Sequence, residues 1–529
     1  MSLLDKATII TTPTAHSNGT LHSIKGGAVA DFDVVRGSAA TRVNAEGLIE
    51  DISTLSEELV VNGDFSPSTG WLGLNADRVI SDGKLNVNQA SGFGLVYQAK
   101  ALNVGAHYEC IVEVSNYVDG SFKIALAGSD SANSSASINS DGTHTFYLER
   151  LSGGSNNVGF IFDGLANLSI DSLSIKEDVD VTNIPRLDYT TGEGVILLEP
   201  QSTNLITYSE DFNSYLSNVT QELNSGISPS GVQNSSNIYP TTSGSTRGVS
   251  AFVSGAVSTS YTISVFAKSN GKNFVFCTNV SNSSYDVWFN LSNGTVSGSG
   301  ASTAKITSCG NDWYRLSYTS TSTSTTIWSR FLISDTNGST SVTANGTNGV
   351  YLWGAQLEAL PYATSYIPTS GAIATRLADK VTGAGDATTF NSTEGVLYAE
   401  FKVFDSENSY KMIEINDESS SNNRVVLYVY GSNIFGFIKS NGNTNLNVFS
   451  AETVTNFNKV ALKWGSVNTA LWVNGVEINT GAASTFAQNI LSDLSLVGAG
   501  TQYFYSKVKA LAVFNEALTD VELECLTTI

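Results

Sequence analysis

Short segments of alternating side chains, separated by turn residues, run along almost the whole chain. Residues 261–268 alternate Tyr, Ile, Val and Ala with Thr, Ser, Phe and Lys, then Asn270-Gly271 precedes an apolar run that begins at Phe274. This alternation is typical of β-strands, and Asn-Gly favours a tight turn, so the pattern predicts a hairpin. Further Asn-Gly turns are predicted at 293–294, 441–442 and 474–475. The sequence therefore predicts an antiparallel all-β fold.

The C-terminal third gives the clearest local predictions. Residues 460–464 and 469–473 flank a short turn and, with the strand that follows, predict a three-stranded meander. Thr519 and Glu522 have the spacing of a capping box, which predicts one short helix over residues 520–526. We expect very little other helix.

Two stretches of the chain begin and end alike. Asn62-Gly-Asp-Phe65 resembles Ser209-Glu-Asp-Phe212, and each opens a long region of strand-like sequence. These regions close on residues 168–177 and 350–358, which both alternate and both end in an acidic residue. A fixed internal similarity of this kind indicates repeated structural units. We interpret the two regions as two copies of one β-sandwich.

Prolines and a second, shorter similarity suggest where the domains are joined. Ala40–Val43 resembles Ala374–Leu377, and pairs of prolines bracket residues 186–199 and 362–367, where strand ladders should be interrupted. The predicted organisation is an N-terminal segment (1–57), a first sandwich (58–178), a linker (179–202), a second sandwich (203–365), a linker (366–388) and a C-terminal sandwich (389–529).

Composition narrows the class of partner. The 529 residues carry a formal charge of -21, and charged residues make up 14% against 41% hydrophobic residues. Such a charge repels nucleic acid and anionic membranes. No apolar run approaches 18 residues and the N-terminus lacks a signal-peptide pattern, so we expect no membrane insertion and synthesis in the cytoplasm. The scattered cysteines predict reduced, structural thiols: Cys110, Cys277, Cys309 and Cys525.

Candidate catalytic chemistry is sparse. The four histidines have no partner at metal-ligand spacing, and neither a nucleophile elbow nor a phosphate-binding loop is present. Carboxylates adjacent in sequence, such as Glu210 with Asp211, point to opposite faces of a strand and cannot flank one glycosidic bond. We therefore expect no enzymatic activity.

Three segments, residues 40–50, 197–212 and 354–368, resemble tailed-phage virion proteins of the head or tail fibre type. The resemblance implies jelly-roll modules similar to carbohydrate-binding modules in the middle of the chain. It also implies a concanavalin or laminin-G-like sandwich at the C-terminus, through residues 472–475 and 514–520. The expected function is structural: a fibre or decoration protein on the virion surface that exposes glycan-binding-like sandwiches for host or surface attachment. A depolymerase tailspike and a purely mechanical spacer stay open as alternatives.

The same resemblance suggests a structural calcium ion in the first sandwich. Carboxylates and loop carbonyls are the hard oxygen ligands that calcium prefers. Asp64 and Asp171 are the candidate ligands, because they lie on the first and last strands, which become neighbours when a jelly roll closes. Asp211 and Glu358 would be their equivalents in the second sandwich. Trp71 is the candidate glycan-binding aromatic, although it could equally be a core residue.

The N-terminal segment predicts an oligomer. Its apolar stretches, such as Ala7–Ile10, are too short to build a core, so they need a partner surface. We expect a homo-oligomer, a trimer rather than a dimer, whose other partners are virion proteins of the capsid or tail and host surface glycans. Repetition would also strengthen weak sugar binding, because tethered copies bind at high effective concentration.

Overall fold

A computed structural model describes residues 3–13, 16–17, 19–52, 54–66, 69–180, 182–278, 286–498 and 500–529. Strands dominate these ranges, and most pair antiparallel. The predicted all-β class is therefore confirmed. Within the described residues, every helix is too short or too polar to cross a membrane.

The elements follow one another in chain order. The N-terminal segment contains α1 Leu3–Lys6, β1 Ala7–Thr11, β2 His16–Ser17, β3 Thr20–Leu21, the 3-10 turn Gly27–Ala30, β4 Phe32–Val35, β5 Thr41–Val43 and β6 Ile49–Asp51. The first sandwich contains β7 Thr54–Leu55, β8 Arg78–Ser81, β9 Lys84–Gln89, β10 Phe93–Ala99, β11 His107–Gly120, β12 Lys123–Ala125, the 3-10 turn Ser131–Asn133, β13 Gly142–Glu149, β14 Asn157–Asp163 and β15 Ala166–Asp180.

The central strands continue this order. The connecting segment contains β16 Leu187–Asp188, β17 Val195–Leu198 and β18 Ser202–Asn204. The second sandwich contains the 3-10 turn Asn213–Tyr215, β19 Leu216–Ser217, β20 Thr220–Gly226, β21 Ser235–Tyr239, β22 Gly244–Ser245, β23 Gly248–Ser254, β24 Ser260–Asn270, β25 Phe274–Thr278, β26 Asp286–Asn290, β27 Thr295–Ser297, the 3-10 turn Ala301–Thr303, β28 Ala304–Ser308, β29 Tyr314–Thr321, β30 Thr326–Ser334, β31 Ser341–Val342 and β32 Gly349–Glu358.

The C-terminal elements complete the chain. Two short strands come first, β33 Ala374–Arg376 and β34 Lys380–Thr382. The C-terminal sandwich contains β35 Gly395–Val403, β36 Lys411–Asn416, β37 Arg424–Tyr430, β38 Asn433–Ser440, β39 Asn443–Ala451, β40 Asn458–Trp464, β41 Thr469–Val473, β42 Val476–Gly481, β43 Asp493–Ser495, β44 Val497–Gly498, β45 Gln502–Tyr503, β46 Ser506–Phe514 and α2 Asp520–Thr527.

The chain divides into two compact units. One is the first sandwich, Ser53–Val181, and the other, here called the composite unit, joins Met1–Ile52 to Thr182–Ile529. The composite unit therefore contains residues 1–52 of the N-terminal segment, residues 182–202 of the first predicted linker, the second sandwich, the second linker and the C-terminal sandwich. This grouping differs from the six segments that the sequence predicts.

The two jelly-roll sandwiches share one topology. In the first, the larger sheet has the order β13-β11-β15-β9-β8 and packs against β10-β14-β12. In the second, the corresponding orders are β28-β29-β24-β32-β21-β20 and β19-β23-β30-β25-β26-β27. The repeated opening segments also fold alike, because Asp64 Oδ1 accepts the Ser66 N–H and Asp211 Oδ1 accepts the Asn213 N–H. These matches agree with the duplication that the sequence predicts.

The predicted hairpin around Asn270-Gly271 is wrong, although both of its strands exist. β24 pairs with β29 and β32, whereas β25 pairs with β26 and β30 in the opposite sheet. β24 has partners on both edges, so the chain must leave the sheet at the turn. The other three Asn-Gly turns do join paired strands, as predicted.

The C-terminal sandwich confirms the local predictions made for it. β40, β41 and β42 form the predicted meander within the larger sheet, and a five-stranded sheet packs against it in the order β39-β38-β37-β36-β43. α2 begins with the predicted capping box, in which Thr519 Oγ1 accepts the Glu522 N–H and a Glu522 carboxylate oxygen accepts the Thr519 N–H. α2 covers the outer face of the larger sheet together with the start of the N-terminal segment.

The segments predicted as linkers are built into the composite unit. β17 pairs with β46 of the C-terminal sandwich, and β1 pairs with the other end of the same strand. Residues 195–198 are four consecutive apolar residues, which is typical of a strand buried on both faces. The N-terminal segment thus finds its partner strands within its own chain, and burying it does not require a second copy. The need for a partner surface therefore no longer supports a trimer, which stays a prediction.

Five buried charged side chains tie these segments together. Arg36 Nη1 lies 3.1 Å from Asp379 Oδ1, Arg186 Nη1 lies 2.6 Å from Glu199 Oε2, and Arg186 also contacts Asp379. Arg376 Nη1 lies 3.4 Å from the same oxygen of Glu199. Burial alone would raise the pKa of Glu199 and of Asp379, but the neighbouring arginines outweigh burial and lower both pKa values. We call this group the arginine cluster.

Candidate binding cleft on the second sandwich

A cleft of about 1470 Å³ opens within the composite unit. Its floor is the outer face of the sheet β28-β29-β24-β32-β21-β20 of the second sandwich, on strands β24, β28, β29 and β32. Its walls are the β5–β6 hairpin, residues 361–366, residues 188–190 and an edge of the C-terminal sandwich at 404–407. It therefore lies where the connecting segments fold back over one sheet.

Strand alternation decides which side chains face the cleft. Ile263, Val265 and Ala267 of β24 point into the core of the second sandwich. Phe266 and Lys268 have the opposite phase and line the cleft. The same rule places Arg315, Ser317 and Thr319 of β29 and Lys305 and Thr307 of β28 on the floor.

The middle of the floor combines an aromatic ring with a cation. Phe266 lies directly opposite Arg315 in the β24–β29 ladder, and the Arg315 guanidinium carbon is 5.2 Å from the Phe266 ring centroid. Arg315 Nη2 donates to Ser264 Oγ at 3.2 Å, whereas the buried Nε has no hydrogen-bond partner among the described residues. Arg315 is thus held over the floor with part of its hydrogen-bonding capacity unused.

Large aromatic side chains close one side of this floor. Phe266, Trp353 and Tyr366 pack together. The ring centroid of Trp353 lies 5.4 Å from that of Phe266 and 4.6 Å from that of Tyr366. Trp313 is buried beside them, and its Nε1 donates to the Ile227 carbonyl at 3.0 Å. Tyr351 of β32 is half-buried and also lines the cleft. The other four rings are at most 4% exposed and form a rigid buried layer beside the floor, whereas Tyr351 presents more of its ring to the cleft.

The opposite wall carries paired charges and a second aromatic contact. Tyr362 stacks on Phe404 with ring centroids 5.2 Å apart and an interplanar angle of 24°. Lys507 Nζ lies 2.6 Å from Asp188 Oδ1, and Lys411 Nζ lies 3.1 Å from Asp405 Oδ1. Each of these wall carboxylates therefore has a cation of its own.

Trp71, the predicted glycan-binding aromatic, lies in the core of the first sandwich. Its side chain is 5% exposed, and its ring centroid is 5.0 Å from that of Phe65 and 5.7 Å from that of Phe160. Its Nε1 donates to the Asn62 carbonyl at 3.0 Å. The sequence left a core role open for Trp71, and burial in this aromatic cluster gives it that role rather than a surface platform.

Asp64 and Asp171, the predicted calcium ligands, have protein partners. Asp171 Oδ1 lies 2.6 Å from Lys84 Nζ and accepts from Ser115 Oγ at 3.0 Å. Asp64 accepts the Ser66 N–H at 3.1 Å. Within the described ranges, no group of three or more His, Cys, Asp or Glu side chains is arranged to hold a metal ion. Calcium binding here stays a prediction.

Asp211 and Glu358, the predicted calcium ligands of the second sandwich, lie in different environments. Asp211 is used in its local turn, whereas Glu358 is completely buried. Glu358 accepts hydrogen bonds from Ser202 Oγ at 2.6 Å, from Gln356 Nε2 at 2.6 Å and from the Thr364 N–H at 3.0 Å. Both carboxylate oxygens are occupied by donors of the chain, which leaves little room for a cation.

The sequence predictions missed the residues of the cleft floor. Phe266 stands among the polar residues that alternate with the core residues of β24. An aromatic residue at such a position was the available sequence signal for the cleft floor. Nothing local indicates that residues 361–366 fold back over that face. The cleft depends on contacts between segments that are far apart in the chain.

Comparisons with known proteins concern the fold alone. No protein-family model matches the chain, and no curated protein matches it. Among solved structures, the CBM40 of the Ruminococcus gnavus IT-sialidase bound to alpha2,3 sialyllactose is 19% identical, with 27% of this chain and 86% of that chain covered and a TM-score of 0.24. A leech intramolecular trans-sialidase is 19% identical over 26% of this chain and 24% of that chain, with a TM-score of 0.23. A SAP-like pentraxin from Limulus polyphemus is 16% identical over 25% and 69%, with a TM-score of 0.21.

Proposed function

We propose that this chain is a non-enzymatic glycan-binding protein of a tailed-phage virion surface, a fibre or decoration protein that attaches to host or surface glycans. The cleft on the second sandwich carries the glycan-binding part of the proposal. The proposed location on the virion surface rests on the resemblance of three segments to virion proteins: residues 40–50, 197–212 and 354–368.

The cleft has the chemistry that sugars require. The apolar face of a pyranose packs on aromatic rings, and its hydroxyls need hydrogen-bonding groups around them. Tyr351 and Tyr362 supply aromatic surface, and Ser317 and Thr319 supply hydroxyls. The volume of about 1470 Å³ exceeds the roughly 300–1,000 Å³ of a typical small-molecule pocket, so an oligosaccharide would fit.

The carboxylates of the cleft favour binding over hydrolysis. A glycosidase needs a carboxylic acid with a raised pKa and a second carboxylate facing it. Arginines lower the pKa of Glu199, while Asp188 and Asp405 are each paired with a lysine. The two other carboxylates that line the cleft, Glu46 and Glu407, are exposed to solvent. Burial raises the pKa of Glu210, but that side chain does not line the cleft.

The test is binding of fluorescent host-surface oligosaccharides by the full chain, with Tyr351→Ala as the cleft variant. Removing the ring should weaken binding about tenfold, which corresponds to about 1.4 kcal/mol. Tyr147→Ala is the control, because Tyr147 is a 57% exposed tyrosine on the corresponding sheet of the first sandwich.

Each alternative predicts a different outcome. Failure to bind any oligosaccharide would favour the mechanical spacer. Release of reducing ends, abolished by one carboxylate substitution in the cleft, would establish the depolymerase. Light scattering of the full chain at micromolar concentration tests the predicted trimer separately, and labelling of intact virions with an antibody against the chain tests its location.

A further inference from the structure

The floor of the cleft is basic although the chain is acidic. The chain has 48 acidic and 27 basic residues. The floor residues on β24, β28, β29 and β32 nevertheless include Lys268, Arg315 and Lys305 and no carboxylate. Lys305 lies opposite Ser317, two residues beyond Arg315, so Lys305 and Arg315 are diagonal neighbours on one face.

These cations are poorly compensated. Lys268 Nζ donates to the Asn311 carbonyl at 2.8 Å and is 3.7 Å from Asp312 Oδ2, which belongs to an 89% exposed side chain. Arg315 and Lys305 form no ion pair with any residue that the structure describes. The carboxylates that line the cleft lie on its walls: Glu46, Asp188, Glu199, Asp405 and Glu407. An anion on the floor would therefore supply the missing charge there.

Lys507 lines the facing wall, and Lys402 is its neighbour outside the cleft lining. Lys402 lies directly opposite Lys507 in the β35–β46 ladder, and like charges in that position repel. Lys507 is paired with Asp188, but Lys402 has no carboxylate partner among the described residues. Lys402 Nζ instead lies 4.9 Å from the Phe457 ring centroid. Burial first, and then Lys507, Lys305 and Lys509, lower the pKa of Lys402.

We propose that the cleft selects anionic glycans, whose negatively charged substituents lie against Arg315 and Lys305. This inference rests on the proposed glycan-binding function and names the class of sugar. A planar guanidinium binds a carboxylate or a phosphate through two parallel hydrogen bonds, and Arg315 lines the cleft without an ion-pair partner among the described residues. Carboxylate and phosphate substituents share the required chemistry.

The experiment compares three probes on the full chain by calorimetry: an oligosaccharide of uronic acids, the neutral oligosaccharide made from it by reduction of the carboxyl groups, and a phosphorylated oligosaccharide of the same length. At least one anionic probe should bind ten or more times more tightly than the neutral one. The preference should shrink as salt is raised, because ions screen exposed charges. The ratio between the anionic probes identifies which substituent is recognised.

Arg315→Gln and Lys305→Gln test whether these two side chains bind the anionic substituents. Each should reduce binding of the anionic probe about tenfold and leave binding of the neutral probe within about twofold, since only the charged contact is lost. Arg315→Lys, which keeps the charge, should retain part of the preference. The matched control is Lys123→Gln in the first sandwich, and circular dichroism of every variant reports folding.

The outcomes separate this inference from the function on which it rests. Equal binding of neutral and anionic probes, with Arg315→Gln unchanged, would overturn charge selection and leave glycan binding intact. Absence of binding to all three probes would overturn both. If Arg315→Gln fails to fold, Lys305→Gln decides the outcome, because it changes an exposed side chain.

Discussion

The two jelly-roll sandwiches have similar cores, but the side chains on the outer faces of their central strands differ in chemistry. Tyr108 in the first and Tyr261 in the second are both buried, and each hydroxyl accepts a backbone N–H five residues earlier at 2.9 Å. With these tyrosines aligned, Glu113 of the first sandwich corresponds to Phe266 of the second. The inward residues of both strands are apolar, so the core keeps its chemistry while the outer face changes.

The difference arises from what covers the face. In the first sandwich, Glu109 and Glu113 lie on the outer side of β11, and Glu109 accepts a hydrogen bond from the exposed Tyr147 hydroxyl. In the second, residues 361–366 and the β5–β6 hairpin fold over the same side of β24, which is buried on both faces. A duplicated sandwich thus acquires a cleft through its neighbours and not through its own topology.

The largest effect should come from breaking the arginine cluster. Arg186→Met leaves Glu199 and Asp379 without their closest cation, and loss of one partner of a buried ion pair costs about 3–5 kcal/mol. Hydrogen exchange of the full chain should show lost protection in the composite unit. Arg247→Met, a change of an arginine that bonds only to nearby loop carbonyls, is the control. Equal protection in both variants would contradict the proposed role of the cluster.

A slightly smaller effect is expected in the first sandwich from Trp71→Ala. Removing a buried tryptophan from its aromatic cluster should cost about 3 kcal/mol of unfolding free energy. Exchange protection should fall within residues 54–180, while oligosaccharide binding by the cleft should persist. Loss of binding with unchanged stability would instead return Trp71 to a role at a sugar site.

Acidification should increase the difference in stability between the first sandwich and the composite unit. The folded pKa values of Glu199 and Asp379 are lowered, so their contribution is complete above the unfolded values near 4 and declines as the pH falls below them. The composite unit should therefore lose stability between about pH 4 and pH 2, as followed by exchange or near-ultraviolet dichroism. In Arg186→Met, this acid-dependent loss should be smaller.

The smallest expected effect is that of calcium on the first sandwich. We predict that calcium, bound through Asp64 and Asp171, raises the melting temperature, because a ligand of the folded state stabilises it by mass action. Lys84 already pairs with Asp171, so the gain should stay below about 1 kcal/mol. Lys84→Gln should enlarge the gain and Asp171→Asn should abolish it. An unchanged melting temperature with calcium and with chelator, in the protein and in Lys84→Gln, rejects the site.

Local signals predicted the fold well and the site poorly. Alternation, Asn-Gly turns and the Thr519–Glu522 spacing depend on neighbouring residues, and they yielded the strands, the meander and the helix. Residues 195–198 were assigned to a linker because the flanking prolines outweighed an apolar run that belongs to a distant sheet. Trp71 and Tyr351 illustrate the limit, since only the three-dimensional packing shows which aromatic is in a core and which lines a cleft.

The pairing of β46 with three strands has a consequence for synthesis. β1, β17 and β35 all pair with this one strand, yet β46 is translated roughly 500 residues after β1. At about 5–20 residues per second, the apolar β1 waits for its partner for about 25–100 seconds. The first sandwich can form as it leaves the ribosome, whereas the composite unit cannot complete this sheet before β46 has been synthesised. Chains that terminate before residue 506 would expose unpaired strand edges, which makes them prone to aggregation.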